Sequence, residues 1–154
     1  MQWNSSLAVT AAAAAAVLAV GTAGPAEAVF RANPCSLLTT AQVSSAIGGQ
    51  AQPGKPISTT GCSWSSTAPK AMVTISFDHL ATFDSLKAAS SPVVQKTIIT
   101  GVGDDAFYKT MGPMITLTVK KGNTYFVMRV YGISDPAKVR EIERTLAIGA
   151  AAKL

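Results

Sequence analysis

Between residues 114 and 131 apolar and polar positions alternate twice over. Ile115, Leu117 and Val119 are interleaved with Met114, Thr116, Thr118 and Lys120; beyond Gly122-Asn123, Phe126, Met128 and Val130 are interleaved with Tyr125, Val127, Arg129 and Tyr131. Period two marks a half-buried strand. Gly-Asn between two such runs marks a two-residue hairpin turn, because both positions tolerate the positive φ that such turns use. With the turn there, Lys121 faces Thr124, Val119 faces Phe126, Leu117 faces Met128 and Ile115 faces Val130. Three apolar cross-strand pairs then share one face, and a slip of one residue would scatter them.

The other elements follow from the same patterning. Thr39 can cap a helix, Gln42 completes a capping box, Leu38 and Val43 form the flanking staple, and Gly48-Gly49 stops the helix after the stripe Val43, Ala46, Ile47. Residues 50–61 read as a loop. A strand follows in which Cys62 and Trp64 point one way and Ser63 and Ser65 the other, and a second covers residues 72–77 with Val73, Ile75 and Phe77 on one face. Thr82 caps a short helix carrying Phe83 and Leu86, ended by Ser90-Ser91-Pro92. Residues 96–100 and 106–110 read as strands around a glycine-containing turn. The last helix has Asp135 as cap, Pro136 at its first position, the stripe Val139, Ile142 and Leu146, and Gly149 as its close. The expected fold is α+β: an antiparallel sheet of about five to six strands with the N- and C-terminal helices packed on one face.

Composition changes this picture at the N-terminus. Residues 7–20 are almost unbroken alanine, valine and leucine, the length of a signal h-region and short of a bilayer span, and Ala26-Glu27-Ala28 supplies a small-x-small cleavage pattern. Met1 to Ser6 lacks the usual positive charge, as a mis-called start codon or a weak signal would explain, and a retained N-terminal anchor is the competing reading. The expectation is a signal peptide over 1–28 and one domain over 29–154, periplasmic or extracellular and soluble after cleavage near Ala28. The whole chain has 13 basic and 8 acidic side chains; cleavage removes Glu27 and raises the net charge from +5 to +6. That charge favours anionic surfaces, but the basic residues are dispersed and the only adjacent pair is Lys120-Lys121. Nucleic acid is therefore not expected, and membrane contact is at most peripheral. In an exported chain the two cysteines, Cys35 and Cys62, point to a disulfide with one possible pairing. No Cys or His stands at ligand spacing from either, so no metal is expected.

Asn33-Pro34-Cys35-Ser36-Leu37-Leu38-Thr39, Gly61-Cys62-Ser63-Trp64 and Gly101-Val102-Gly103-Asp104-Asp105-Ala106-Phe107-Tyr108 follow one another over nearly the whole mature chain. In this the chain resembles a family of small exported bacterial domains, many of them actinobacterial lipoproteins, for which no function is known. The resemblance implies a Cys35–Cys62 bridge and a single α+β domain similar to the Mog1/PsbP-like sandwich, and it implies no catalytic residues. Ala32-Asn33-Pro34-Cys35 is not a lipobox, which argues against lipid anchoring through Cys35.

Candidate chemistry is thin. Gly101-Val102-Gly103-Asp104-Asp105-Ala106 matches the dinucleotide pattern G-x-G-x-x-A, but a strand follows where that motif must open a helix, and two aspartates would repel a phosphate. Asp104 and Asp105 suit a tight turn, with a weak cation site as the alternative. His79, the only histidine, stands beside Asp78 at a strand end, where histidine-based catalysis would have to be built. No cofactor is expected. The outward face of the hairpin is the stronger candidate: Lys120, Tyr125, Arg129 and Tyr131 combine the aromatic and basic groups that recognition surfaces favour. The leading expectation is a non-catalytic binding or accessory domain meeting an envelope protein or an anionic glycan or polymer. The alternative is a cell-envelope enzyme using His79 or the Asp104/Asp105 turn.

Overall fold

A computed structural model describes residues 33–78 and 82–154. A 3-10 turn (Pro34–Ser36) leads into α1 (Thr40–Ile47), then β1 (Lys55–Ser58), β2 (Gly61–Thr67) and β3 (Lys70–Phe77). α2 (Phe83–Ala88) precedes β4 (Gln95–Ile99), β5 (Asp105–Met111), β6 (Met114–Lys121) and β7 (Thr124–Tyr131), and α3 (Pro136–Ala151) ends the chain. All seven strands join one antiparallel sheet in the order β1-β2-β3-β7-β6-β5-β4. Two meanders, β1–β3 and β4–β7, meet at the central β3/β7 pair. The fold is α+β as expected, with more strands than expected.

The hairpin has the register read from its alternation: Lys121 pairs with Thr124, Val119 with Phe126 and Leu117 with Met128. Among the described residues positive φ occurs only at glycine, so Gly122 (φ +57°) carries the turn and Asn123 does not share it. A single positive φ at the first turn position is the II′ pattern. The ladder ends at Leu117/Met128, short of the Ile115/Val130 pair that the alternation predicts.

The capping signals hold in atomic detail. Thr39 Oγ1 accepts from Gln42 N–H at 3.1 Å while Gln42 Oε1 accepts from Thr39 N–H at 2.9 Å, and Gly48 (φ +69°) closes α1 in the left-handed conformation. Thr82 Oγ1 accepts from Ser85 N–H, and Asp135 accepts from Ala137 N–H ahead of Pro136. Gly149 does not close α3, which runs two residues further. A side chain at Gly149 would press on the Gln42 amide, so the glycine serves close approach of α1. The segment 55–58, expected as loop, is an edge strand with every residue exposed.

Packing divides the sheet into two faces. On the inner face Cys62, Trp64, Val73, Ile75, Leu117, Val119, Phe126 and Met128 form one core with α1 and α3, all but inaccessible to water. Cys35 and Cys62 are bonded, with Cα atoms 5.1 Å apart across a separation of 27 residues; closing a loop of this length stabilises the fold by about 3 kcal/mol. The N- and C-terminal helices share this face, as expected. The chain must then pass from β3 at the sheet's centre to β4 at its edge, and it does so over the outer face. There α2 buries Phe83 against Phe107, Tyr125 and Val127, with Leu86 beside them. Helices on both faces, not one, are the main departure from the expected layering.

Candidate functional site

The hairpin's outward side chains do not form one open face. At the turn end, Tyr125 is buried under α2, its ring edge-on to Phe83 at 6.2 Å, and Phe83 meets Phe107 at 5.4 Å. Lys120 is half-buried there, its ammonium 5.7 Å from the centre of the Phe83 ring and 3.9 Å from Asp84. Thr116, Thr118 and Val127 are buried as well. Tyr125 thus belongs to a second core and offers no stacking surface, which corrects its place in the proposed binding face; alternation reports which side chains share a face, not whether that face is wet.

At the opposite end the outer face is open. Met72 pairs with Tyr131 and Met111 with Met114. Extended from Leu117/Met128, the hairpin register sets Met114 across from Tyr131. One row of apolar side chains therefore crosses β3, β7, β6 and β5. Their exposures are 39% for Met72, 40% for Tyr131, 42% for Met114 and 43% for Met111, where a sheet facing water would carry polar groups. Behind this row Arg129, half-buried, donates from Nε to Thr116 Oγ1 at 3.4 Å, and Lys109 and Lys70 flank it. Arg129 and Tyr131 are thus brought together at the open end, and Lys120 and Tyr125 are held away from them.

Two apolar clefts adjoin Tyr131. One, of about 240 Å³, lies where β6 and β7 part, between Met114, Ile115, Val130, Ile133 and Val139. The other, of about 370 Å³, runs over Ser65, Lys70, Ala71 and Met72. Gly132 lines both; its φ is +84° and a Cβ there would collide with the Lys70 carbonyl oxygen, so only glycine lets the strand ends close in this way.

The parting of β6 and β7 has a visible cause on the inner face. Val130 N–H, which the predicted Ile115/Val130 pair would occupy, donates to Glu143 Oε1 at 3.2 Å. Glu143 is fully buried, and its Oε2 has no hydrogen-bond partner. Burial pushes its carboxyl up from 4.5 to about 8, opposed in part by the Val130 amide and by Arg129 and Arg140. It is therefore mostly neutral at pH 7. Nearby, Tyr108 O–H donates to the Arg140 carbonyl oxygen at 2.6 Å, and burial pushes this phenol up to about 12. Glu143 lies four residues after Val139 and three before Leu146, on α3's apolar stripe. Its helical spacing is the sequence signal that marks it.

The acidic candidates serve the fold. Asp104 accepts from Lys121 Nζ at 2.8 Å and Gly122 N–H at 2.7 Å, clamping the hairpin turn, and these bonds hold its carboxyl below the usual range. Asp105 pairs with Lys87 Nζ at 2.6 Å, tying α2 to β5. Asp78 follows the end of β3, three strand spacings (about 14 Å) from β5, so it does not converge with Asp105. His79 lies outside the described residues. Among the described residues no cluster of three His, Cys, Asp or Glu side chains could hold a metal ion, and no helix is long and apolar enough to cross a membrane. A larger cleft, about 540 Å³ between α1 and α3, is edged by the exposed pair Lys138 and Glu141 and by Gln42, already engaged in its capping box. Comparison of the chain with protein-family models, curated proteins and solved structures found no match.

Proposed function

We propose that this protein is an exported, non-catalytic binding domain whose recognition surface is the open end of the outer sheet face. The observation that carries this reading is the row Met72, Tyr131, Met114 and Met111: four large apolar side chains, each about two-fifths exposed, across four neighbouring strands. Isolated exposed apolar residues need no explanation, but two exposed apolar pairs, Met72–Tyr131 and Met111–Met114, on either side of the β6/β7 cleft and rimmed by Arg129, Lys109 and Lys70 are the anatomy of an interaction site. Methionine suits such a site because its unbranched, polarisable side chain adapts to a partner's shape. Export is supported by the apolar leader pattern, the resemblance to exported domains and the Cys35–Cys62 bridge. A binding role is supported further by the engagement of Asp104 and Asp105 in turn and helix contacts.

The test is capture from an envelope extract by immobilised protein. Wild type and Lys121→Ala, altered at the far end, should retain the same partner. Met72→Ser combined with Met114→Ser and Tyr131→Ser should lose it, with thermal unfolding little changed because all three side chains are exposed. Equal capture by all three proteins would remove this face from the function.

A further inference from the structure

We propose that the partner recognised at this end of the sheet is an acidic protein segment, which sets apolar side chains into the two clefts that Tyr131 lines. This rests on the binding reading above and specifies its partner. The seven strands carry seven basic side chains and a single acidic one, Asp105, which lies at the α2 end and is paired with Lys87.

The cations at the α2 end are engaged within the fold. Lys120 faces Asp84, Lys121 holds Asp104, and Lys96 donates to the carbonyl oxygens of Leu86, Lys87 and Ala89 at the end of α2. At the open end Lys70, Lys109 and Arg129 lie within ion-pair distance of no carboxylate among the described residues. Uncompensated cations beside an apolar row select a partner that is acidic outside and apolar at its anchors.

The shape of the surface favours a peptide over a lipid surface. Tyr131 and Gly132 line both clefts, of about 240 and 370 Å³, so the apolar area holds two depressions that share a wall. Alternate side chains of an extended segment can fill separate depressions, as strands bound along a sheet do. A bilayer offers no such pair of protrusions.

The experiment selects a random-peptide display library on the immobilised protein. Enriched sequences should combine Asp or Glu with at least two apolar residues. A synthetic peptide of that consensus should bind wild type. It should bind Lys109→Glu and Lys70→Glu about tenfold or more weakly, and Tyr131→Ala below detection, all with unchanged thermal unfolding. Peptides that compete at this face but show no acidic bias would overturn the acidic partner while leaving the binding surface intact. Failure to enrich any peptide, with binding instead to phosphatidylglycerol vesicles that depends on Tyr131, would overturn the peptide in favour of a lipid surface. Selected peptides that bind Tyr131→Ala as well as wild type would overturn both this inference and the assignment of the face.

Discussion

Raising the pH from about 5 to about 9 will lower the stability of this protein by about 3 to 5 kcal/mol, and Glu143→Gln will remove most of that loss. The reason is the burial of Glu143 between α3 and β7 with one carboxyl oxygen on Val130 N–H and the other unpartnered. Its carboxyl titrates at about 8 in the folded protein, against 4.5 when solvated. The folded state therefore holds a proton that the unfolded state has released throughout that window. The stability this confers is fully present below 4.5 and is lost progressively as pH rises through about 8. Glutamine keeps an acceptor for the Val130 amide and cannot ionise, so the variant should show a flat profile here and exceed wild type in stability at the alkaline end. Tyr108 titrates higher, at about 12, and does not enter this range. Urea unfolding at three pH values decides the matter. A wild-type profile that is flat, or one whose slope Glu143→Gln retains, would show that this carboxyl is not buried as described.

Phe83→Ala should cost about 3 to 5 kcal/mol, the loss expected of a phenyl ring removed from a packed core. The ring is 4% exposed and is held edge-on by Phe107 and Tyr125, with the Lys120 ammonium over its face. Removing it uncovers the outer core beneath α2, so Tyr125 and Val127 lose their cover along with it. Leu86→Ala, at the half-buried margin of the same cluster, should cost less, about 1 kcal/mol. Equal small losses for both, read from denaturant midpoints, would mean that α2 is only loosely laid on the sheet.

These two residues also mark where sequence pattern stops carrying structure. Local signals were legible because local physics produces them. Thr39 with Gln42, Thr82, and Asp135 with Pro136 each place a helix start, and a glycine between two alternating runs sets the hairpin register. β1 was illegible because it is an edge strand, fully exposed, with Pro56 in place of an alternating apolar residue. The position of α2 was illegible for a different reason. It depends on β3 pairing with β7, a contact between residues about fifty to sixty positions apart, which sends the β3–β4 crossing over the outer face.

The site was half legible. Arg129 and Tyr131 were found as outward residues of an alternating strand, and both do reach the open end. Tyr125 obeys the same alternation yet is covered, since period two cannot register a helix arriving from elsewhere in the chain. The methionine row is not legible in sequence: Met72, Met111 and Met114 lie on three strands, and only the sheet order aligns them. Glu143 was readable in principle, as a carboxylate on α3's apolar stripe between Val139 and Leu146.

The same methionines provide the most direct test of a recognition surface at the open end of the outer face. Met72, Met111 and Met114 are exposed there, and Met128, on the inner face, has no accessible surface. Methyl-labelled methionine NMR of the protein, titrated with the partner captured from envelope extract, reads all four in one spectrum. A recognition surface there requires shifts or broadening at Met72, Met111 and Met114 with Met128 unmoved. Binding that leaves the three exposed methyl groups untouched would contradict it.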